Sequence, residues 1–322
     1  METTNFQWLQ KGTFAMVDLW LYNFARNIPD LLNGKSIKGL SVFNESNQLS
    51  KNQKLKNSAI VIGAGPSLYE KNHLQLLADS NYNGSILITD RMLIPCLKRG
   101  ITPDKFSKFY VLTIDPYMST VNFYEDEIIK KYSNRIKCIL SSCTSHDTVE
   151  MCKKMGFQIF WFHPLIDDYR KIESINKIMN LMTKSEVNPK GFPGLQTGGN
   201  IGTFCWVFSW AILGSSPTCL IGLNLGYFGD TKIEDTQHYE ELLRVCDSVD
   251  DVKKRYKKIQ NTSLDCEVLV DPVFDYYREA LLDLVKRTPS WVKTINATEG
   301  GSLFGERIEN RTFSSFLKKF SS

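Results

Sequence analysis

The hydrophobic pattern alternates between two kinds of segment along most of the chain. Short apolar runs predict buried strands at 58–63, 85–90, 109–115, 136–142, 157–162, 218–224 and 292–296. Segments with apolar residues at helical spacing lie between them, at 66–80, 91–99, 119–132, 146–155, 167–183 and 200–213. This alternation is typical of an α/β fold, with a mostly parallel sheet covered by helices on both faces.

The pattern divides the chain into four parts. Residues 1–34 form a predicted N-terminal helical arm, whose aromatic face we expect to pack on the domain or on a second copy in a homo-oligomer. A polar linker at 35–57 precedes the core, 58–229 and 290–322, whose last helix is predicted at 303–320. The charge-rich segment 230–289 predicts an inserted helical lid with its hinge or tip at 261–265, or a surface helical pair without gating.

Composition excludes several classes of protein. The formal net charge of +4 on 322 residues is too small to indicate nucleic-acid binding. Eight cysteines without a Cys-x-x-Cys pair favour a reducing compartment. The N-terminus lacks the pattern of a secretory signal, and the most apolar helix, predicted around 203–213, is shorter than the ~20 residues that span a bilayer. We therefore expect a soluble, cytoplasmic protein without a transmembrane segment.

A glycine-rich turn follows the first core strand. The sequence Gly63-Ala64-Gly65-Pro66-Ser67-Leu68 joins a β-branched run to a predicted helix. Gly63 and Gly65 allow the backbone to approach a bound group, and Pro66 and Ser67 begin a helix whose free amides favour an anion. The turn predicts a phosphate site, and the alternative is an ordinary strand-to-helix turn.

A second glycine-rich segment, Thr197-Gly198-Gly199-Asn200, opens the most apolar helix. Two such turns supply two sets of amide donors, which a diphosphate or an activated phosphoester needs to replace its lost hydration. The alternative is a helix start in which the glycines serve packing alone.

Two aspartates are predicted at neighbouring strand ends. Asp90 is expected to accept hydrogen bonds from a ribose or to contact the acceptor substrate, or else to cap the next helix. Asp115 precedes Pro116, which favours an extended backbone, so it is a candidate for substrate or metal contact or a structural turn residue. The pair suits Mg²⁺ or substrate hydroxyls, but the chain contains no Asp-x-Asp motif, and no obligatory metal is predicted.

Polar residues also follow the last two predicted strands. Asn224 is placed to hydrogen-bond a nucleoside. The segment 296–302 is expected to bind substrate or a second phosphate, through its polar residues and glycines Asn296, Thr298, Gly300 and Gly301.

His238 opens the predicted lid. An imidazole on a mobile element suits a general base, because the lid delivers it onto a bound acceptor. The alternative is an inert surface histidine.

Together, the motifs at 63–68, 89–90, 197–200, 221–225 and 296–301 resemble the domain shared by archaeal 6-hydroxymethylpterin diphosphokinase-like proteins and by motility accessory factors that glycosylate flagellin. A more distant similarity connects 63–68, 197–199 and 222–225 with bacterial CMP-sialic-acid sialyltransferases. The resemblance implies a Rossmann-like transferase with a nucleotide-activated donor.

By the sialyltransferase match, the nucleotide would contact Gly65, Ser67, Thr197, Gly198, Gly199 and Asn224. Asp90 stands where that family has an asparagine, Asn224 replaces an acid, and His238 is the histidine placed to act as the base.

The leading hypothesis is a glycosyltransferase that moves a sugar from a donor such as a CMP-linked nonulosonic acid to a hydroxyl on a protein or glycan. The diphosphokinase resemblance implies ATP, Mg²⁺ and a pterin alcohol instead. A third hypothesis is a non-catalytic nucleotide-binding module.

Overall fold

A computed structural model describes residues 5–43 and 57–321, and for residues 5–15 it describes the backbone alone. The remaining part of the predicted linker, 44–56, lies outside the described residues. The strands are β1 (Lys35–Ser36), β2 (Ala59–Ile62), β3 (Ser85–Thr89), β4 (Phe109–Thr113), β5 (Lys137–Ser141), β6 (Gln158–Pro164), β7 (Gly194–Leu195), β8 (Thr218–Ile221), β9 (Tyr227–Phe228), β10 (Lys257–Asn261), β11 (Cys266–Val270), β12 (Thr294–Asn296) and β13 (Ile308–Asn310).

Local sequence sets the ends of some helices: Asn200 caps the helix that begins at Ile201, and Gly156, in the left-handed conformation, ends the helix that begins at His146. The helices are α1 (Asn5–Asn33), α2 (Ser67–Glu70), α3 (His73–Asp79), α4 (Leu93–Lys98), α5 (Glu127–Tyr132), α6 (His146–Met155), α7 (Ile175–Met182), α8 (Ile201–Ala211), α9 (Tyr239–Leu243), α10 (Val249–Arg255), α11 (Pro272–Arg287) and α12 (Phe313–Phe320).

One ten-stranded sheet organises the core, in the order β1-β6-β5-β4-β3-β2-β8-β12-β13, with β7 beside β6. All its pairings are parallel. From β2 the chain adds strands outward through β3, β4, β5 and β6, and later returns to place β8, β12 and β13 on the other side. The strand order therefore reverses between β2 and β8, which is where open α/β sheets bind ligands.

Both faces of the sheet are buried, which explains the continuous apolar runs of the predicted strands. Ile60 and Ile62 of β2 face one hydrophobic core, which includes residues of α3, α6 and α12. Ala59 and Val61 face a second core, in which Phe204, Trp206 and Phe208 of α8 are fully buried. The seven predicted core strands and the α/β fold are confirmed.

Two buried asparagines of helix α1 hydrogen-bond to the loops at the carboxyl edge of the sheet. Asn23 Nδ2 donates to Pro116 O at 2.9 Å and to Cys143 O at 3.2 Å. Asn27 Nδ2 donates to Ser142 O at 3.2 Å and to Thr144 O at 2.8 Å. The described part of the predicted arm thus packs on its own domain, beyond the ends of β4 and β5.

Replacing the fully buried Asn27 by alanine is expected to destabilise the fold by about 2 kcal/mol, because two buried carbonyls lose their donor. Urea unfolding followed by circular dichroism measures the change. Tyr22→Ala, on the exposed side of the same helix, is the control and should change stability by less than about 0.5 kcal/mol. Equal effects of the two substitutions would contradict an anchoring role for the asparagine.

Several predicted helices are shorter than their hydrophobic patterns. The segment 66–80 is divided into α2 and α3, because Asn72 takes a left-handed conformation with φ of 53°. At 118–124 a 3₁₀ helix replaces the start of the predicted 119–132 helix. Within the predicted helix 167–183, the α-helix begins only at Ile175. The closing helix, predicted at 303–320, begins at Phe313, after β13.

The segment 230–289 differs more from its prediction, since it is not helical throughout. Helices α9, α10 and α11 are present, but Lys257–Asn261 and Cys266–Val270 form an antiparallel hairpin that pairs with β9. The predicted hinge or tip at 261–265 is the turn of this hairpin. Most residues of the first strand, Lys257–Asn261, are polar and exposed, whereas the second strand ends in the buried apolar residues Val268, Leu269 and Val270.

Part of the predicted linker also belongs to the core. Lys35 and Ser36 form β1, which pairs with β6, and Ile37 is fully buried in the 3₁₀ helix that follows. Two apolar side chains, Ile37 and Leu40, among polar neighbours give too little periodicity to identify this element from sequence.

Candidate functional site

The candidate site lies at the carboxyl ends of β2 and β8, where the strand order reverses. The turn after β2 contains Gly63 and Gly65, and the turn after β8 contains Gly222 and Asn224. Gly63 N donates to Ile221 O at 2.9 Å, and Gly65 N donates to Gly222 O at 2.8 Å. The parallel ladder therefore continues past both strands and holds the two turns together.

A side-chain hydrogen bond joins these turns above the ladder. Ser67 Oγ donates to Asn224 Oδ1 at 2.9 Å, across 157 residues of sequence. A Cβ at position 65 would lie 2.1 Å from the same amide oxygen, so glycine is required there by close approach. Two residues predicted separately as nucleotide contacts, Ser67 and Asn224, are thus direct partners.

The turn after β12 completes this side of the site. Ser302 N donates to Asn224 O at 2.8 Å, and Leu223 N donates to Thr298 Oγ1 at 3.2 Å. Gly301 has φ of +80°, and a Cβ there would lie 2.1 Å from Asn224 O. Asn296 donates to Leu303 O at 2.7 Å and accepts from Thr298 N. In this structure the polar atoms of Thr298 and Asn296 hold the turn in shape.

A cleft of about 500 Å³ opens beside these turns. Its polar side includes Asn224, Glu299 and Arg311, and its apolar side is formed by Phe228 and by Val268 of the hairpin. The predicted site residues among its lining are Pro66, Asn224, Asn296, Gly300 and Gly301. Its volume and mixed lining suit a small polar molecule that has one apolar face.

The second glycine turn lies on the other face of the sheet, with α8. Asn200 is the N-cap of this helix, and its Oδ1 accepts from Thr203 N at 2.9 Å. Thr197, Gly198, Gly199 and Asn200 do not line the 500 Å³ cleft. Leu223 packs between the turn after β2 and the start of α8, since a Cβ added at Gly63 or at Gly202 would lie 2.5 or 3.1 Å from its side chain.

The two predicted aspartates are held differently. Asp90 is buried, with Oδ1 accepting from Arg91 N at 2.7 Å and Oδ2 from Thr113 Oγ1 at 2.8 Å. Burial raises the pKa of Asp90 to about 6, helped by the nearby charge of Asp115. Asp115 accepts from Tyr117 N at 2.9 Å, and partial burial also raises its pKa. Neither aspartate lines the cleft.

The buried Asp90 predicts a particular pH dependence of stability. Since its folded pKa, about 6, exceeds the value near 4 of an unfolded aspartate, the folded state binds more protons between those values. Its contribution to stability therefore falls as the pH rises from 4 to 7. Asp90→Asn removes this penalty, and the variant is expected to gain up to about 3 kcal/mol relative to wild type over that range.

Urea unfolding of both proteins at pH 4 to 7 measures this difference. Asp230→Asn, at an exposed position, is the matched control, and its difference from wild type should change little over the range. Parallel pH curves for wild type and Asp90→Asn would show that the buried carboxyl is not the source of the effect.

His238 is buried against the first turns of α11. Its Nδ1 lies 2.7 Å from Asp271 Oδ2, and its ring packs edge-on against Phe274 with centroids 4.9 Å apart. One helical turn further along, Tyr277 covers Gly199. Helix α11 thus joins the histidine to the second glycine turn, and His238 does not line the cleft.

Sequence reasoning missed the residues that surround His238. Tyr227 lines the cleft, and its hydroxyl donates to Asp271 Oδ2 at 2.7 Å. Asp271-Pro272 is a recognisable helix start, a capping aspartate before a proline at the first position, so the sequence contained a signal for the cap. Nothing local indicates its contact with a histidine 33 residues earlier.

Among the described residues, one group of side chains has the spacing of a metal site, and it lies elsewhere, between α1 and α6. It consists of Asp30, His146 and Glu150. The ammonium of Lys153 already lies 2.7 Å from Asp30 and 2.8 Å from Glu150, so this group is neutralised by a lysine.

Among all the residues that the structure describes, no helix combines the length and the apolar composition that crossing a bilayer needs.

Comparisons with a protein family and with a solved structure show what this chain is similar to. The sequence model of a family described as "6-hydroxymethylpterin diphosphokinase MptE-like" matches residues 22–230, more than half of the chain. A solved structure of the MAf glycosyltransferase from Magnetospirillum magneticum AMB-1 superposes with a TM-score of 0.55 at 12% sequence identity. The superposition covers 89% of this chain and 38% of that one, so this chain spans well under half of its neighbour. No curated protein matches the sequence.

Proposed function

Because the chain belongs to the 6-hydroxymethylpterin diphosphokinase MptE-like family, we propose that it is a nucleotide-dependent transferase, and more specifically a glycosyltransferase. It would move a sugar from a nucleotide-activated donor, such as a CMP-linked nonulosonic acid, to a hydroxyl acceptor on a protein or glycan. The fold shared with the MAf glycosyltransferase supports this choice over a diphosphokinase.

The observation on which the proposal mainly rests is the bridge between Ser67 and Asn224. This hydrogen bond joins the turns after β2 and β8, where the strand order reverses, and its partner Asn224 lines the 500 Å³ cleft. Ligands of open α/β sheets bind at such points, where several loops meet. Asn224 lines the cleft, and the buried Ser67 holds its amide in position beside the two glycine turns.

The donor would contact residues on both sides of the point where the strand order reverses, between β2 and β8. Backbone amides of the turns at 63–67 and 197–200 would hold its phosphate, and Asn224 would face its nucleoside. His238 would take the proton of the acceptor hydroxyl as the oxygen attacks the anomeric carbon. The bond from that carbon to the donor phosphate breaks, and the nucleotide leaves with the electron pair.

No obligatory metal is proposed for this reaction. Asp90 and Asp115, the two aspartates considered as a pair for Mg²⁺, do not line the cleft in which the donor is proposed to bind. The diphosphokinase alternative requires Mg²⁺ with ATP, which makes metal dependence a discriminating observation.

Thermal unfolding with a panel of nucleotides tests the proposal. CMP and CMP-sugars are expected to raise the melting temperature in the presence of EDTA, because a ligand that binds the folded state alone stabilises it. Donor consumption with release of CMP then tests for turnover. Stabilisation by ATP with Mg²⁺ and a pterin alcohol alone, accompanied by AMP release, would replace this proposal with the diphosphokinase. Binding of nucleotide without any turnover would favour the non-catalytic module.

A further inference from the structure

The carboxylate of Asp271 has more partners than a helix cap requires. Its Oδ1 accepts from Val273 N and Phe274 N, both at 2.8 Å, which completes the start of α11. Its Oδ2 accepts from Tyr227 Oη at 2.7 Å and lies 2.7 Å from His238 Nδ1. Asp271 is fully buried. One carboxylate oxygen therefore caps the helix, and the other contacts Tyr227 and His238.

The capping task does not require a carboxylate. Serine and asparagine cap helices about as well as aspartate. Burying a carboxylate is costly unless hydrogen bonds or a positive group compensate it. The side-chain partners of the second oxygen, Oδ2, are the hydroxyl of Tyr227 and the imidazole of His238, and both can donate a hydrogen bond.

These contacts determine which nitrogen of His238 has the proton. A carboxylate accepts but does not donate, so Nδ1 must be the protonated nitrogen. The opposite nitrogen, Nε2, lies 3.3 Å from Gln237 Nε2, which is a donor. Both contacts favour the tautomer with hydrogen on Nδ1 and a lone pair on Nε2. Gln237 is exposed, so an acceptor substrate can displace its amide.

We propose that Asp271 is the positioning residue of a His238–Asp271 dyad, in which it fixes the imidazole with Nε2 as the proton acceptor; this rests on the proposed transferase function. The acceptor hydroxyl gives its proton to Nε2 while its oxygen forms the new glycosidic bond and the nucleotide leaves. The carboxylate then stabilises the imidazolium that results. Tyr227 links the dyad to the cleft, because it lines the cleft and donates to the same oxygen.

Two substitutions separate orientation from capping. Asp271→Asn retains the cap through Oδ1 but places an amide NH₂ opposite Nδ1, which favours the tautomer with hydrogen on Nε2. Asp271→Ser retains a cap and has no group that reaches the ring. Asp126→Asn, at the N-cap of α5, is the control for a changed cap elsewhere.

The first readout is independent of the reaction. Long-range ¹H–¹⁵N spectra of the wild-type protein, with His238 assigned by His238→Gln, are expected to show hydrogen on Nδ1, and the spectra of Asp271→Asn hydrogen on Nε2. The same tautomer in both proteins, or hydrogen on Nε2 in the wild type, would overturn the proposal even if the chain is no transferase.

The second readout is turnover of the donor. Asp271→Asn is expected to lower kcat by about 10²- to 10⁴-fold with little change in KM for the donor, and Asp271→Ser to lower kcat less. A purely structural cap predicts the reverse order, with losses that follow the melting temperature, and that result would overturn the positioning role. Absence of any wild-type turnover would count against the proposed function, and the spectra alone would then decide whether Asp271 orients His238.

Discussion

Replacing His238 by glutamine is expected to lower kcat for sugar transfer by roughly 10²- to 10⁴-fold, the range that a positioned general base contributes. Glutamine retains a polar side chain of similar reach but cannot take up a proton. Because the histidine packs on α11 and does not line the cleft, donor binding should persist. Release of nucleotide from the donor, measured at saturating acceptor, gives kcat, and the donor-induced thermal shift gives binding.

The matched control is His146→Gln. His146 is partly buried and has one ring nitrogen 2.9 Å from Asn27 Oδ1, so the substitution also removes one partly buried contact, but in α6 and outside the cleft lining. Its kcat should stay within twofold of wild type. A His238→Gln enzyme that turns over within threefold of wild type would exclude the imidazole as the base.

The largest effect on stability is expected from Gly301→Ala. The new methyl group would lie 2.1 Å from Asn224 O and 2.5 Å from Asn224 Cα, and the backbone has φ of +80°. Left-handed strain and overpacking against backbone together should cost about 3–4 kcal/mol. Urea unfolding measures the loss, and the same variant should lose its nucleotide-induced thermal shift, since the turn holds Asn224 in place.

Gly100→Ala isolates the conformational part of this cost. Gly100 has φ of +86°, and nothing lies within 4 Å of the position a Cβ would take. Its replacement should cost about 1 kcal/mol. If the two alanine variants prove equally stable, close packing of the 296–302 turn against Asn224 does not constrain the site.

The strands were predictable because their physics is local. A run such as Ala59-Ile60-Val61-Ile62 is apolar on both faces, and this identifies a buried parallel strand without any knowledge of its partners. The hairpin at 257–270 was not predicted, because its charged and apolar residues also fit a helical period over so short a length. Its stability comes from pairing with β9, a contact that local sequence does not specify.

The candidate site was predictable in its location more than in its contacts. The turns after β2 and β8 could be placed at one sheet edge because parallel strands end on the same side. That Ser67 bonds directly to Asn224 could not be inferred, since it depends on which strand neighbours β2. Asp90, Asp115, His238 and the 197–200 turn were named as site residues, and their roles stay predictions, as do the cytoplasmic location and self-association.

The adjacency of β2 and β8 also has a consequence for how this protein acquires its activity. These strands are brought together only after β3 to β7 and helix α8 have been synthesised, so no fragment that ends before β8 contains both halves of the proposed nucleotide site. Contacts so distant along the chain form late and slowly. Nucleotide affinity would therefore appear during refolding only with the completed sheet, and a bound nucleotide would slow global unfolding instead of protecting a single loop.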